Sequence, residues 1–173
     1  MVVAIAVVCI LAVLGLYLLG TAQRLDRLHA RVDAAGAAFD AQLRRRSAAV
    51  LSFVAAVSLD PVLVESLLDA ARDAQHVPGL GHDREVVEHG VTRALGWIVA
   101  KAPESLANRS AAASELHDEA LRASFARSFY NDAIRDALVV RDRRIVRWLG
   151  LAGHAPHPAY FEMDDEELPV SKI

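Results

Sequence analysis

The sequence MVVAIAVVCILAVLGLYLLGTAQ, residues 1–23, decides the architecture of this chain because it contains no Asp, Glu, Lys, Arg or His. Eighteen of its first twenty residues are hydrophobic. An α-helix rises about 1.5 Å per residue, so a helix over this stretch can cross the roughly 30 Å hydrocarbon core of a bilayer. We therefore predict that residues 1–23 form a transmembrane anchor in direct contact with lipid.

A cleaved signal peptide is the alternative interpretation of the same stretch. Such a peptide has basic residues before a shorter apolar core and small residues at its cleavage site. No Lys or Arg precedes this run, and LGTA at 19–22 is a poor cleavage site, so an uncleaved anchor is favoured. Arg24, Arg27 and Arg31 follow the run. The positive-inside rule then predicts a cytoplasmic C-terminal domain and an N-terminus outside the cell.

Composition limits what the other residues can be. The chain has 173 residues, one Cys and a formal net charge of −3. These values exclude a disulfide scaffold and a disordered chain, and so small a charge gives no reason to expect a nucleic-acid partner. Beyond the anchor, the chain is long enough to form a hydrophobic core without a metal or a disulfide.

Helical periodicity follows the anchor directly, and no segment alternates apolar and polar residues as a half-buried strand would. We predict an all-α fold in which the transmembrane helix continues into an antiparallel bundle of three to four long helices, residues 24–150, with coiled-coil character. Two apolar stripes carry this prediction: Leu25, Leu28, Val32, Ala35, Phe39 and Leu43 on the first helix, and Ala123, Ala126, Tyr130, Ala133, Ala137 and Val140 on the last.

Two shorter helices are expected between these two long ones. Asp60 and Pro61 are typical of a helix start, and the second helix is predicted over 62–74. The third is predicted to begin at Asp83 and to end before Pro103. Its Gly90 and Gly96 suggest close packing against a neighbour. The expected buried face of the third helix comprises Val87, Val91, Ala94 and Ile98, and the fourth helix is expected from Asn108 until Gly150 and Gly153 end it.

The last residues, 151–173, contain three prolines and five clustered acids between Glu162 and Glu167. Proline and like charge oppose a packed helix. We predict a flexible acidic tail over this range.

Four segments of the chain resemble the LemA family. They are RVDAAGAAFDAQLRRR at 31–46, ALGWIV at 94–99, FARSFYNDAIRD at 125–136 and PAYFE at 158–162. The resemblance implies one N-terminal transmembrane helix followed by a long-helix bundle, here in a bacterial plasma membrane. It carries over no catalytic residue, because the role of that family is not settled. The chain also departs from the family pattern, since Gly36 stands where an aromatic residue is usual.

Three groups of residues are candidates for an interaction with another protein. Arg44, Arg45 and Arg46 span about 200° of helix surface, so they form either a solvated collar or a contact for an anionic partner. Asp40 can pair with Arg44 at i, i+4. Tyr130, Asn131 and Asp132 stand in mid-helix, where they form either a polar network or a binding surface. Trp97 and Trp148 would mark a contact if they are exposed.

Catalytic and metal-binding residues are not indicated by any motif. No phosphate loop, nucleophile motif or cysteine pair is present, so we expect no catalytic residue, cofactor or metal. His82, Glu85 and His89 share a helical face, but residues seven apart lie about 10.5 Å apart along a helix, too far to share one zinc ion.

The sequence therefore favours a membrane-anchored accessory protein, a scaffold or tether that holds another membrane or peripheral protein. The alternative is a membrane-bound hydrolase that uses Glu and His groups brought together between helices. Self-association into a homo-oligomer is a third possibility, compatible with the first.

Overall fold

The computed structural model describes residues 1–57, 61–101, 111–150 and 157–163. Helices account for 88% of these residues, and the same ranges contain no strand, which confirms the predicted all-α fold. The long apolar N-terminal helix is followed by further helices that pack against it. The helices are α1 (Val2–Ala56), α2 (Pro61–His76), α3 (His82–Lys101), α4 (Ala111–Arg141) and α5 (Arg144–Trp148).

The chain divides into two compact units, both of which include part of α1 and part of α4. The first unit comprises Met1–Ala34 and Asn131–Ala159, and the second comprises Ala35–Tyr130 and Tyr160–Ile173. Several expected features lie outside the described residues: the helix start at Asp60, Pro103, the helix start near Asn108, Gly153 and the acids from Asp164 onward.

In the first unit, α1 begins with the apolar run and then contacts α4 and α5. An 18-residue window of α1 has a mean hydropathy of 3.1, and none of it is buried against other parts of the protein. One N-terminal helix is therefore long and apolar enough to span a membrane. Further along, Leu25 is buried with Val140 of α4 and Val146 of α5, and Arg31 donates a hydrogen bond to Asp136 at 2.9 Å.

The last long helix ends earlier than the sequence predicts. It stops at Arg141 rather than near Gly150, and Arg143 takes an extended conformation with φ −60° and ψ 133°. This break redirects the chain so that Val146 of α5 is fully buried beside Leu25. Gly150 follows α5 with φ +60°, a left-handed conformation that glycine adopts without steric cost.

In the second unit, the remainder of α1 packs against the other helices. α1 and α4 are antiparallel in this unit. Gly36 of α1 lies near Tyr130 of α4, whereas Gln42, later in α1, donates a hydrogen bond to Glu119, earlier in α4. The main core joins Val50 and Phe53 of α1 to buried residues of α2, α3 and α4. These buried residues are Leu67, Ala71, Ala74, Val91, Leu95, Ile98, Ala113 and Leu116.

Both predicted stripes face the interior. On α1, Leu25, Phe39 and Leu43 are buried, and Leu28, Val32 and Ala35 are half-buried. On α4, Ala123, Ala133, Ala137 and Val140 are buried, and Ala126 and Tyr130 are half-buried. Hydrophobic spacing alone was sufficient to identify these faces, since α1 and α4 bury mainly apolar side chains along them.

Two helical glycines have opposite surroundings, which gives a matched pair of substitutions. A Cβ at Gly36 would lie 3.3 Å from Cε2 of Tyr130, whereas a Cβ at Gly96 would meet none of the described residues within 4 Å. The expectation of close packing is therefore wrong for Gly96. At Gly90 a Cβ would lie 3.9 Å from Cβ of Ala70, an ordinary contact.

We expect Gly96→Val to raise the free energy of unfolding slightly, by up to about 0.5 kcal/mol, because valine has a higher helix propensity than glycine and the added Cβ enters open space. Gly36→Val should lower it by about 1–3 kcal/mol, because the larger side chain collides with the Tyr130 ring. Thermal melting of the full chain in detergent micelles, followed by circular dichroism, measures both. Equal melting temperatures for the two variants would contradict the close approach of Tyr130 to α1.

Part of the predicted flexible tail is packed. Residues 157–163 have no regular secondary structure, as expected. Phe161, however, is only 1% exposed and lies in one cluster with Phe39, Leu43 and Ala123. The expectation of a free tail therefore does not hold for this residue, because an aromatic side chain among acids still gains from leaving water.

Candidate functional site

The most unusual feature of the second unit is a set of charged side chains in its interior. Arg84 and Glu88 of α3 are fully buried, and Arg46 of α1 is 2% exposed. We call these three residues the buried charge cluster. Charged side chains are rarely fully buried unless they are paired.

Glu88 lies between the two arginines. Its Oε1 accepts a hydrogen bond from Nε of Arg84 at 3.0 Å, and its Oε2 accepts one from Nη1 of Arg46 at 3.3 Å. Arg46 also donates from Nη2 to the Thr92 hydroxyl at 2.7 Å, and Arg84 donates from Nη1 to the carbonyl of Val77 at 2.8 Å. The buried charge cluster thereby links α1, α3 and the chain segment that follows α2.

Asp40 supplies a second acid at the edge of the buried charge cluster. Its Oδ1 lies 3.5 Å from Nη1 of Arg84, and its Oδ2 accepts a hydrogen bond from Nε of Arg44 at 3.0 Å. The predicted Asp40–Arg44 pair is therefore present. Each of the two buried arginines thus has a carboxylate oxygen within 3.5 Å, which favours a structural role over a site for a free anion.

Burial changes the proton affinities of these groups. It raises the pKa of the Glu88 carboxyl, and the charges of Arg46 and Arg84 oppose this rise. Burial also lowers the pKa of the Arg46 guanidinium, against the opposing charge of Glu88. The opposite charges of its neighbours offset the desolvation cost of each ionised group in this interior. Removing one of these groups therefore leaves the others buried without a counter-charge.

The three consecutive arginines separate into different environments. Arg44 and Arg45 are exposed, and Arg44 also donates to the carbonyl of Gln75 at 3.4 Å. Arg46 is buried, so it cannot contribute to a contact surface for a partner. The expectation of a three-arginine interaction surface is therefore corrected to two exposed arginines, because the helical rotation between neighbours turns Arg46 inward.

Tyr130, Asn131 and Asp132 are all half-buried. The Tyr130 ring stacks on Phe39 with 5.8 Å between ring centroids and 28° between planes. Asp132 pairs with Arg135 at 2.9 Å on the surface of the first unit. The stacking on Phe39 favours a structural role for the Tyr130 ring, whereas the exposed Asp132–Arg135 pair does not favour either interpretation.

Both tryptophans are exposed, as a contact residue must be. Trp148 is 87% exposed in the first unit, and Trp97 is 59% exposed in the second. Trp97 lines a cavity of about 450 Å³ between α2 and α3, together with Val62, Ala70 and Arg93. We call this cavity the α2/α3 groove.

A second exposed apolar surface, which was not predicted from the sequence, lies on α4. Leu121, Phe125 and Phe129 are 45%, 63% and 69% exposed, and we call them the α4 stripe. Their i, i+4, i+8 spacing places them on one helical face about 12 Å long. The face lies about 160° around the helix from buried Ala123, so it points away from the core. The spacing is visible in the sequence, but the stripe that includes Ala123 predicts only which face of α4 is buried, and that is the opposite face.

His82, Glu85 and His89, which share a face of α3, contact three different kinds of group. Glu85 accepts a hydrogen bond from the backbone N–H of Glu162 at 2.8 Å and lies 3.4 Å from Nδ1 of His82. Nδ1 of His89 lies 2.7 Å from the backbone carbonyl of Glu85. Within the described ranges, no group of three or more His, Cys, Asp or Glu side chains is placed to hold a metal ion.

Comparison with known proteins adds no relative. No family model matches the chain, and no significant match was found among curated proteins or solved structures. Membership of the LemA family therefore stays a prediction that depends on the four sequence segments.

Proposed function

We propose that this protein is a single-pass membrane protein that holds a second protein at the membrane as a non-catalytic accessory or scaffold subunit. The observation that carries the proposal is the α4 stripe, where two phenylalanines and a leucine are exposed on one face. Exposed aromatic side chains in a contiguous row are typical of protein contact sites. The spacing suits an amphipathic helix of the partner, packed along α4.

The proposed location depends on the apolar run and on the charged residues that follow it. α1 offers an unburied apolar segment to lipid, and Arg24, Arg27 and Arg31 follow it. The excess of arginine on that side supports a cytoplasmic position for the rest of the chain. The LemA resemblance supports a bacterial plasma membrane.

The test is extraction of the full chain in mild detergent and identification of the proteins that co-purify with it. We expect Phe125→Ser with Phe129→Ser to reduce recovery of the partner at least tenfold, because each aromatic anchor of an interface contributes about 2 kcal/mol or more. Membrane association should be unchanged, because both residues lie far along the sequence from the anchor.

Val86→Ser with Trp97→Ser is the control for the rival surface, since these are two exposed apolar side chains on α3 and Trp97 is itself a candidate contact residue. It should leave recovery of the partner unchanged. Loss of the partner in the control but not in the α4 variant would show that the partner binds the α3 surface. It would refute the proposal that the α4 stripe is the contact site. If only a second copy of this chain is recovered, the protein is a homo-oligomer and the scaffold proposal is wrong.

A further inference from the structure

The segment Tyr160–Met163 is bound to the second unit in the manner of a peptide ligand. Phe161 is its only buried residue, whereas Tyr160 and Glu162 are exposed. The Phe161 ring lies edge-on to Phe39, with 5.0 Å between ring centroids. One deep side chain between exposed neighbours is how an extended peptide fills a pocket.

The pocket is built from three elements of the same unit, and we call it the Phe161 groove. Phe39 and Leu43 come from α1 and Ala123 from α4, and all three are buried against Phe161. Leu80, which lies between α2 and α3, closes another side together with Tyr130. The Phe161 groove is thus an apolar site lined by α1, α4 and the connection between α2 and α3, and the Phe161 side chain fills it.

Side chains beside the Phe161 groove contact the backbone of the segment. Glu85 of α3 accepts the N–H of Glu162 at 2.8 Å, and Arg127 of α4 donates to the carbonyl of Met163. Arg46 approaches Sδ of Met163 at 3.4 Å. The two backbone contacts do not depend on side-chain identity, so selectivity comes from the aromatic pocket.

We propose that the Phe161 groove is a peptide-binding site for an extended segment that carries a phenylalanine, and that Tyr160–Met163 is its resident, reversibly bound occupant. The proposal is separate from the α4 stripe, which lies on another face. A peptide of the same chemistry competes with the resident segment. The link to the same chain gives the resident an effective concentration in the millimolar range, so a competitor must reach similar concentrations.

The test uses the full-length ¹⁵N-labelled chain in detergent micelles and an unlabelled synthetic peptide of residues 157–163, HPAYFEM. Hydrogen exchange of the Glu162 amide is measured with and without millimolar peptide. We expect the peptide to speed exchange of this amide several-fold, because it traps the groove after the resident segment has left. Exchange at the Leu95 amide, in the core of α3, should not change.

The matched control peptide carries alanine in place of the phenylalanine and should have no effect on Glu162. Unchanged exchange at Glu162 with the HPAYFEM peptide would overturn the proposal, and so would equal acceleration by both peptides. Acceleration at Leu95 together with Glu162 would also overturn it, since the segment would then leave only when the whole unit unfolds.

A second measurement uses the full-length Phe161→Ala chain and a fluorescent HPAYFEM peptide. This variant should bind the peptide at least tenfold more tightly than the wild-type chain, because the resident no longer fills the pocket. Equal affinities would contradict the proposal. If the variant loses its helical circular dichroism, the exchange measurement on the wild-type chain still decides the question. Neither readout depends on the α4 stripe or on its partner.

Discussion

Replacing Glu88 by alanine is expected to lower the free energy of unfolding by about 3–5 kcal/mol, because both buried arginines lose their shared counter-charge. Nε of Arg84 and Nη1 of Arg46 would each lose the carboxylate oxygen that they now contact. A change of this size should lower the melting temperature by roughly 10 °C in a chain of this length. Thermal melting by circular dichroism in detergent micelles measures the shift.

Asp69→Ala is the matched control for Glu88→Ala, since it removes the same charge from a surface pair. Asp69 and Arg72 lie 3.5 Å apart on α2 with side chains that are 64% and 59% exposed. Such pairs contribute about 0–1 kcal/mol. Glu88→Gln should fall between the two variants, because its amide oxygen can still accept from Arg84. Similar melting temperatures for Glu88→Ala and Asp69→Ala would show that burial does not make the charges of this unit interdependent.

The sequence predicted α1 and α4 well because their buried faces are apolar. On α3 it was right for Val91 and Ile98 only, because the buried face comprises Arg84, Glu88, Val91, Leu95 and Ile98. These residues follow the same 3- and 4-residue spacing as an apolar stripe. Two of the five are charged, so hydrophobicity alone favours a face that includes Val87 and Ala94, which are only half-buried.

The partners of the buried charges could not be identified from one sequence. Arg46 and Glu88 are 42 residues apart along the chain, and their pairing depends on how α1 and α3 pack. Arg84 and Glu88 at i, i+4 would have been interpreted as an ordinary surface pair. Similarly, nothing local distinguishes Phe161 from Tyr160 as the residue that enters the pocket, because that choice is made by contacts with Phe39 and Leu43 in a distant part of the sequence.

The second large effect is expected at the anchor, where Leu11→Arg with Leu14→Arg should abolish stable membrane insertion. Twelve Val, Ile and Leu side chains lie between Val2 and Leu19. Together they favour insertion by about 5 kcal/mol on the scale measured for membrane helices. Two arginines near the centre of the helix oppose insertion by about 5–7 kcal/mol, so the balance becomes unfavourable. The fraction of chain that resists extraction from membranes by alkaline carbonate measures the result.

The matched control places the same two changes outside the apolar run, as Leu121→Arg with Leu149→Arg. These leucines are 45% and 52% exposed, and the control should remain resistant to carbonate. Sequencing the N-terminus of the wild-type protein distinguishes the anchor from a cleaved signal peptide. An anchored chain keeps the apolar run, whereas a soluble chain that begins near Gln23 would refute both the anchor and the proposed cytoplasmic location. The apolar run would then be a signal peptide for export, and the α4 stripe would bind its partner outside the cytoplasm.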